Sequence, residues 1–169
     1  TSGDDELPRP RRKRLPQDEA EVGFASLADL SHWIQSKQIS CVDLAKLYLN
    51  RLKQYDEQLK CVITLTEDRA LRQAETLDRE LANGKSRGPL HGIPWGAKDL
   101  LDTRGIRTTF GAEPFKDRVP DSTAAVVERL DKAGAVLIAK LTLGALAYGD
   151  IWFGGRTNSP WDIEQGSSG

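Results

Sequence analysis

The chain has 169 residues, 38% hydrophobic and 29% charged, with 24 Lys and Arg set against 25 Asp and Glu. That length suits one modest core and a single domain, and a net charge of −1 gives no electrostatic reason to expect nucleic acid or a membrane surface as the main partner. No apolar run approaches the length of a bilayer, so a soluble chain is expected, cytoplasmic unless a signal peptide has been removed.

Residues 1–25 differ from the rest. "TSGDDELPRPRRKRLPQDEAE" has three prolines and a basic cluster at Arg9, Arg11, Arg12, Lys13 and Arg14, with acidic residues on both sides. Leu7 and Leu15 are its only large aliphatics, too little apolar surface to offset the entropy of ordering. A basic run can anchor phosphate or serve as a localisation signal, but the flanking acids favour a flexible, charged, solvated tail.

Ordered structure is expected from about Ser26. "SLADLSHWIQSKQ" puts Leu27, Leu30, Trp33 and Ile34 on one helical face behind a serine cap. "SCVDLAKLYLNRLKQYDEQL" starts a second helix, with Ser40 and Asp43 in a variant of the capping box and an apolar stripe of Val42, Leu44, Leu47, Tyr48 and Leu52. The short, branched "CVITL" reads as a strand. "EDRALRQAETLDRELANG" reads as a helix with Ala70, Leu71, Ala74, Leu77 and Leu81 inward and Asn83-Gly84 at its end. Too rich in glycine and proline for a helix, "LHGIPWGAKDLLDTRG" suggests a strand entered through a tight turn. "DSTAAVVERLDKAGAVLIAKL" is a helix–strand unit: Asp121 or Ser122 as cap, Ala125, Val126 and Leu130 packing, Gly134 as terminator, "AVLIA" as a buried strand. Residues 141–148 form a further candidate helix, and 149–169 are loop-rich. The whole reads as α/β, with a sheet that needs more strands to cover "AVLIA" on both faces.

Two cysteines, Cys41 and Cys61, are too few for a disulfide framework and lack metal-ligand spacing, so reduced, partly buried thiols are expected, with no metal and no cofactor. Three groups offer chemistry. His91, in "PLHGIPWGAKD", can be paired with Ser167 as base and nucleophile, with Asp99 or Asp102 to orient the imidazole, although nothing in the spacing favours it. Lys98 ends an apolar strand; burial disfavours an ammonium, so an amine held there gives up its proton more readily and can act as a general base. The alternative is a lysine that reaches solvent at a strand end. The terminal "EQGSSG" is either a small-residue tail or a turn that offers a serine hydroxyl and backbone N–H groups to a carbonyl.

Taken together, "GPLHGIPWGAKDLLDTRGIRTTFGA", "DSTAAVVERLDKAGAVLIAKLTLGALAYG" and "GGRTNSPWDIEQGSSG" resemble the amidase signature family, in that order, from about Ser26 to the end. The resemblance implies the N-terminal part of that fold, a mixed central sheet covered by helices on both faces, with residues 26–169 forming one domain completed by residues outside this chain. It also implies hydrolysis of an amide C–N bond through a Ser–cis-Ser–Lys relay. In such a relay Lys98 is the base and Ser167 the bridging cis-serine, supported by Gly166 and Ser168; Leu143, Gly144 and Tyr148 fall in the segment that lines the substrate side in relatives. The family's nucleophilic serine lies beyond the bridging serine, so the chain alone is expected to be inactive, as the first portion of a longer enzyme or one chain of a two-chain assembly. Ser168 is a poor substitute nucleophile, because its side chain points away from its neighbour's in most backbone geometries.

The sequence departs from the family pattern at Ser159, which is insertion-like, and at Gln165, where a second glycine is usual. "KLTLGALAYG" is also more apolar than its counterparts, which suggests a hydrophobic acyl or aryl group, unless Leu141, Leu143, Leu146 and Tyr148 are ordinary core. The partners implied are a small-molecule amide and the remainder of the domain, with no nucleic acid bound directly, no membrane, and a homo-oligomeric assembly. Two other readings remain: a non-catalytic amidase-like binding module, and the amidotransferase A-type subunit of a tRNA-dependent transamidation complex.

Overall fold

The computed structural model describes residues 14–167. The elements run α1 (Glu19–Gly23), α2 (Leu27–Gln35), α3 (Cys41–Leu59), β1 (Val62–Leu65), α4 (Glu67–Ala82), β2 (Pro94–Lys98), α5 (Ala125–Lys132), β3 (Val136–Leu141), β4 (Ile151–Trp152) and β5 (Gly155–Arg156). The three longer strands form a mixed sheet in the order β1-β3-β2, with β1 antiparallel and β2 parallel to β3. From Val136 to Lys140 every residue of β3 is buried, as a central strand covered on both faces requires. Trp33, Ile34, Leu44, Leu49 and Leu77 fill the space between α2, α3, α4 and the sheet, each burial stabilising by roughly 1.5–3 kcal/mol.

Capping follows the sequence closely in the first half. Ser26 accepts from the backbone N–H of Asp29, and Ser40 from that of Asp43. In α3 the box closes differently from the usual form: the Ser40 hydroxyl donates to the Asp43 carboxylate. The first two N–H groups of α3 find a tertiary cap on α4, where Asp78 accepts from Cys41 N at 2.8 Å and Val42 N at 3.1 Å. Burial first, and then Asp78, push the Cys41 thiol well above its ordinary range; burial and the Asp56 carboxylate push that of Cys61 to about 11. Both thiols are free.

Several expectations are corrected. The segment assigned to a flexible tail contains α1, capped by Asp18 and anchored by buried Val22, and Leu15 packs against the core. The basic residues Arg9, Arg11, Arg12 and Lys13 lie outside the described residues. Leu27 is half exposed, on the outer side of α2. α5 begins after Ala124 without a side-chain cap, because residues 121–124 are engaged elsewhere: Ala124 N donates to Asp102 O, and Asp121 O and Thr123 Oγ1 accept from Arg104. Its buried residue is Val127, whereas Ala125 and Val126 are exposed. In place of a helix over 141–148 there is one 3-10 turn, Ala145–Ala147, with Leu146 and Ala147 at positive φ. Among the described residues no helix is long and apolar enough to cross a membrane.

The tertiary cap on α3 is open to test. Asp78→Ala leaves two N–H groups without their acceptor and is expected to lower unfolding free energy by about 1–2 kcal/mol. Chemical denaturation checks this, and an unchanged midpoint would show that the cap contributes nothing.

Candidate functional site

Parallel pairing of β2 with β3 sets Lys98 opposite Leu141 at the C-terminal end of both strands. Gly96 permits this close approach, since a Cβ there would lie 2.6 Å from Leu141 Cδ1. Side chains alternate along β2, so Ala97 is buried, Lys98 is exposed and Asp99 is buried again. The buried amine of this sheet is therefore Lys140, not Lys98. Lys140 is 0% exposed, with Nζ 3.2 Å from Asp99 Oδ1 and donating to Leu101 O at 2.9 Å and Thr108 Oγ1 at 2.7 Å. Desolvation lowers its proton affinity and the Asp99 carboxylate opposes that shift.

A second chain of contacts brings the C-terminal turn to the same place. Just past β3, Thr142 N donates to Cys61 O at 2.9 Å, and its hydroxyl lies 2.7 Å from that of Thr157. Thr157 and Asn158 are docked on the end of α3 through Lys60 O, Leu59 O and Gln58 O. From that anchored segment Thr157 O accepts from Ser167 N at 2.8 Å. Asn158 also bridges to Gly166, where a Cβ would fall on the Asp150 carboxylate. Lys98 and Ser167 consequently line one cavity of about 310 Å³, walled by Leu143, Gly144, Asp150 and Thr157 among others.

Of the residues singled out in the sequence, Lys98, Ser167, Leu143 and Gly144 meet at this cavity. Tyr148 does not: it is 88% exposed, carried outward by the left-handed turn at Leu146 and Ala147. Leu143 is buried, whereas Leu146 is exposed. Ser168 lies outside the described residues. All peptide bonds among the described residues are trans, including the one that enters Ser167. His91 is not a base for Ser167: its Nδ1 accepts from Arg87 N at 3.1 Å and its Nε2 lies 3.0 Å from Leu77 O on α4, so both ring nitrogens of this buried side chain are committed to backbone groups. Neither proposed partner of that histidine is available, because Asp99 holds Lys140 and Thr109, and Asp102 forms a two-point ion pair with Arg118.

Sequence reasoning missed Lys140, Asp150, Thr142 and Thr157. Lys140 carried a usable signal, a lysine at the end of the most apolar run in the chain. Asp150 and the threonines carried none, because only the folded path of the loop brings them to Lys98. Among the described residues no group of three or more His, Cys, Asp or Glu is placed to hold a metal ion. A larger cleft of about 500 Å³ lies at the start of α4, between residues 64–69 with Arg72 and residues 105–107, and contains neither Lys98 nor Ser167.

The family model described as Amidase matches residues 43–169. The A-type subunit of glutamyl-tRNA(Gln) amidotransferase from Carboxydothermus hydrogenoformans is 35% identical over 155 residues, covering 88% of this chain and 32% of the relative. The protein of the same name from Synechococcus sp. is 39% identical over 146 residues, covering 83% and 29%. Among solved structures, the native peptide amidase of Stenotrophomonas maltophilia superposes with a TM-score of 0.83 at 31% identity, covering 90% of this chain and 33% of the other. A structure described as fatty acid amide hydrolase gives 0.84 at 26% identity, covering 92% and 28%. The chain belongs to the amidase signature family. It spans about a third of the length of the relatives it matches.

The placement of His91 yields a prediction. In the complete polypeptide His91→Ala is expected to cost about 2 kcal/mol of stability through two lost hydrogen bonds, one buried and one part-buried, with the shape of the pH–rate profile unchanged. Loss of a titration step from that profile would return His91 to the chemistry.

Proposed function

We propose that this chain is the N-terminal portion of an enzyme that hydrolyses the C–N bond of a small amide, with Lys98 as general base, Ser167 as the bridge of the proton relay, and a nucleophilic serine supplied by residues beyond Gly169. One observation carries the reading: Lys98 and Ser167, 69 positions apart in sequence, line the same cavity. An amide carbonyl is a weak electrophile, so its attacking hydroxyl needs a base and the oxyanion needs donors. The nucleophile's proton passes to Ser167 Oγ as the Ser167 proton passes to Lys98 Nζ, and the reverse transfer later protonates the departing amine. Lys98 is exposed here, so the remainder of the domain is assigned a second task, covering the cavity so that burial favours the uncharged amine. Gly166 admits the Asp150 carboxylate beside the bridge, Ser168 continues the same turn, and Leu143 and Gly144 form the wall met by the substrate. Tyr148 is left with a substrate role only through the parts of the domain beyond this chain. No cofactor or metal enters this scheme; the partners are the amide, the rest of the domain and a second copy of the enzyme.

A second reading draws on the names of the relatives. Proteins named as the A-type subunit of glutamyl-tRNA(Gln) amidotransferase match over most of this chain, and in that reading the same relay serves transamidation with partner subunits. Activity of the isolated complete polypeptide on simple amides separates the two, since the amidotransferase reading requires its partners.

In the complete polypeptide Lys98→Ala is expected to lower kcat/KM by about 10²–10⁴-fold with the melting temperature little changed. Ser167→Ala should also cost orders of magnitude, and a loss of less than about tenfold would remove Ser167 from the relay. A fluorophosphonate probe should label one serine in the wild type and none in the Lys98→Ala protein. The rate should rise with pH as the amine gives up its proton; a flat profile would argue against a lysine base.

A further inference from the structure

We propose that Asp99 and Lys140 are positioning residues for Lys98: they fix the strand end that presents it and cancel each other's charge, so that neither biases its protonation. The inference rests on the reading of Lys98 as the base. Asp99 follows Lys98 directly and is 0% exposed, as is Lys140. The backbone of Asp99 is held on both sides, its N–H donating to Leu141 O at 2.9 Å and its carbonyl accepting from Phe110 N at 3.0 Å. Its carboxylate Oδ2 accepts from Thr109 N at 2.8 Å and from the Thr109 hydroxyl, while Oδ1 faces Lys140 Nζ. Through its bonds to Leu101 O and Thr108 Oγ1, Lys140 closes the same loop from the neighbouring strand. The Thr109 hydroxyl also accepts from Gly111 N, and a Cβ on Gly111 would collide with Leu143 O. The pair thus reaches, through one short loop, both the base and the wall of the cavity.

Charge balance is the second part of the inference. A buried ion pair stabilises a fold no better than well-packed apolar side chains of similar volume, so packing alone does not account for one next to Lys98. An unpaired charge roughly 8 Å away, at an effective dielectric constant of about 20, displaces a titration by on the order of one pH unit. Left alone, the Asp99 carboxylate, still bonded by Thr109, would hold Lys98 protonated and remove the base; left alone, the buried Lys140 amine would give up its own proton and carry no charge. The other charged groups nearby are Asp102 and Arg118, already paired with each other at 2.7 and 2.8 Å, and Asp150 across the cavity. Desolvation disfavours the ammonium of Lys140, and Asp99 is the main group that restores it.

The test compares pH–rate profiles of kcat/KM for the complete polypeptide carrying K140M, D99N and D99N/K140M, with melting curves in parallel. The acid limb, where the base loses its proton, should move to higher pH by on the order of one unit in K140M and stay in place in D99N, whose buried amine is left uncharged. In the double variant it should return to the wild-type position even if the maximal rate stays reduced. A displacement in D99N, none in K140M, or a double variant that does not return would overturn the pairing, because loosened packing alone lowers rates without moving the limb. K140Q, which removes the charge but keeps an N–H donor for Leu101 O and Thr108 Oγ1, takes the place of K140M if that variant does not fold. Failure of the base assignment itself is read separately, as full activity of Lys98→Ala.

Discussion

The structure turns on a lysine buried in its central strand. β3 has no exposed face over Val136 to Lys140, and an ammonium can remain there only with a carboxylate and hydrogen-bond acceptors around it. Asp99, Leu101 and Thr108 supply them, and all three lie on the loop that leaves β2. The requirement to satisfy one buried amine therefore determines where the end of β2 sits, and with it where Lys98 sits. Alternation along that strand does the rest: the side chain before Asp99 must face the opposite way, into the cavity shared with Ser167.

The other half of the site is built on a different support. Residues 157 and 158 are held by carbonyls at the end of α3, left unpaired where a helix runs out and exposed by the left-handed Lys60. A helix terminus and a buried ion pair thus aim two distant sequence positions at one space. β2 is an edge strand with no further partner among the described residues, and the chain covers about a third of its relatives. In our reading the rest of the domain pairs with that edge, closes the cavity and brings the nucleophile.

Periodicity and capping made most of the fold readable in advance. α2, α3, α4 and β3 follow from their apolar spacing and from Ser26, Ser40 and Gly134, because these elements bury a regular face and end on residues with strong local preferences. Reading failed where tertiary demands override local ones. The start of α5 is delayed because residues 121–124 bond to the loop at 102–104, and 141–148 fails to become a helix because Leu146 and Ala147 take left-handed conformations. Lys98 and Ser167 were singled out through motif resemblance and line one cavity, yet the burial expected of Lys98 belongs to Lys140. Both lysines end apolar strands, and only the pairing register shows which one faces inward.

The most direct measurement is a crystal structure of the complete polypeptide after reaction with a fluorophosphonate. Lys98 Nζ is expected within about 3 Å of Ser167 Oγ, with that hydroxyl in turn beside the modified serine and both shielded from water. An amine turned to solvent, with Ser167 bonded elsewhere and the label on a serine remote from this cavity, would contradict the relay.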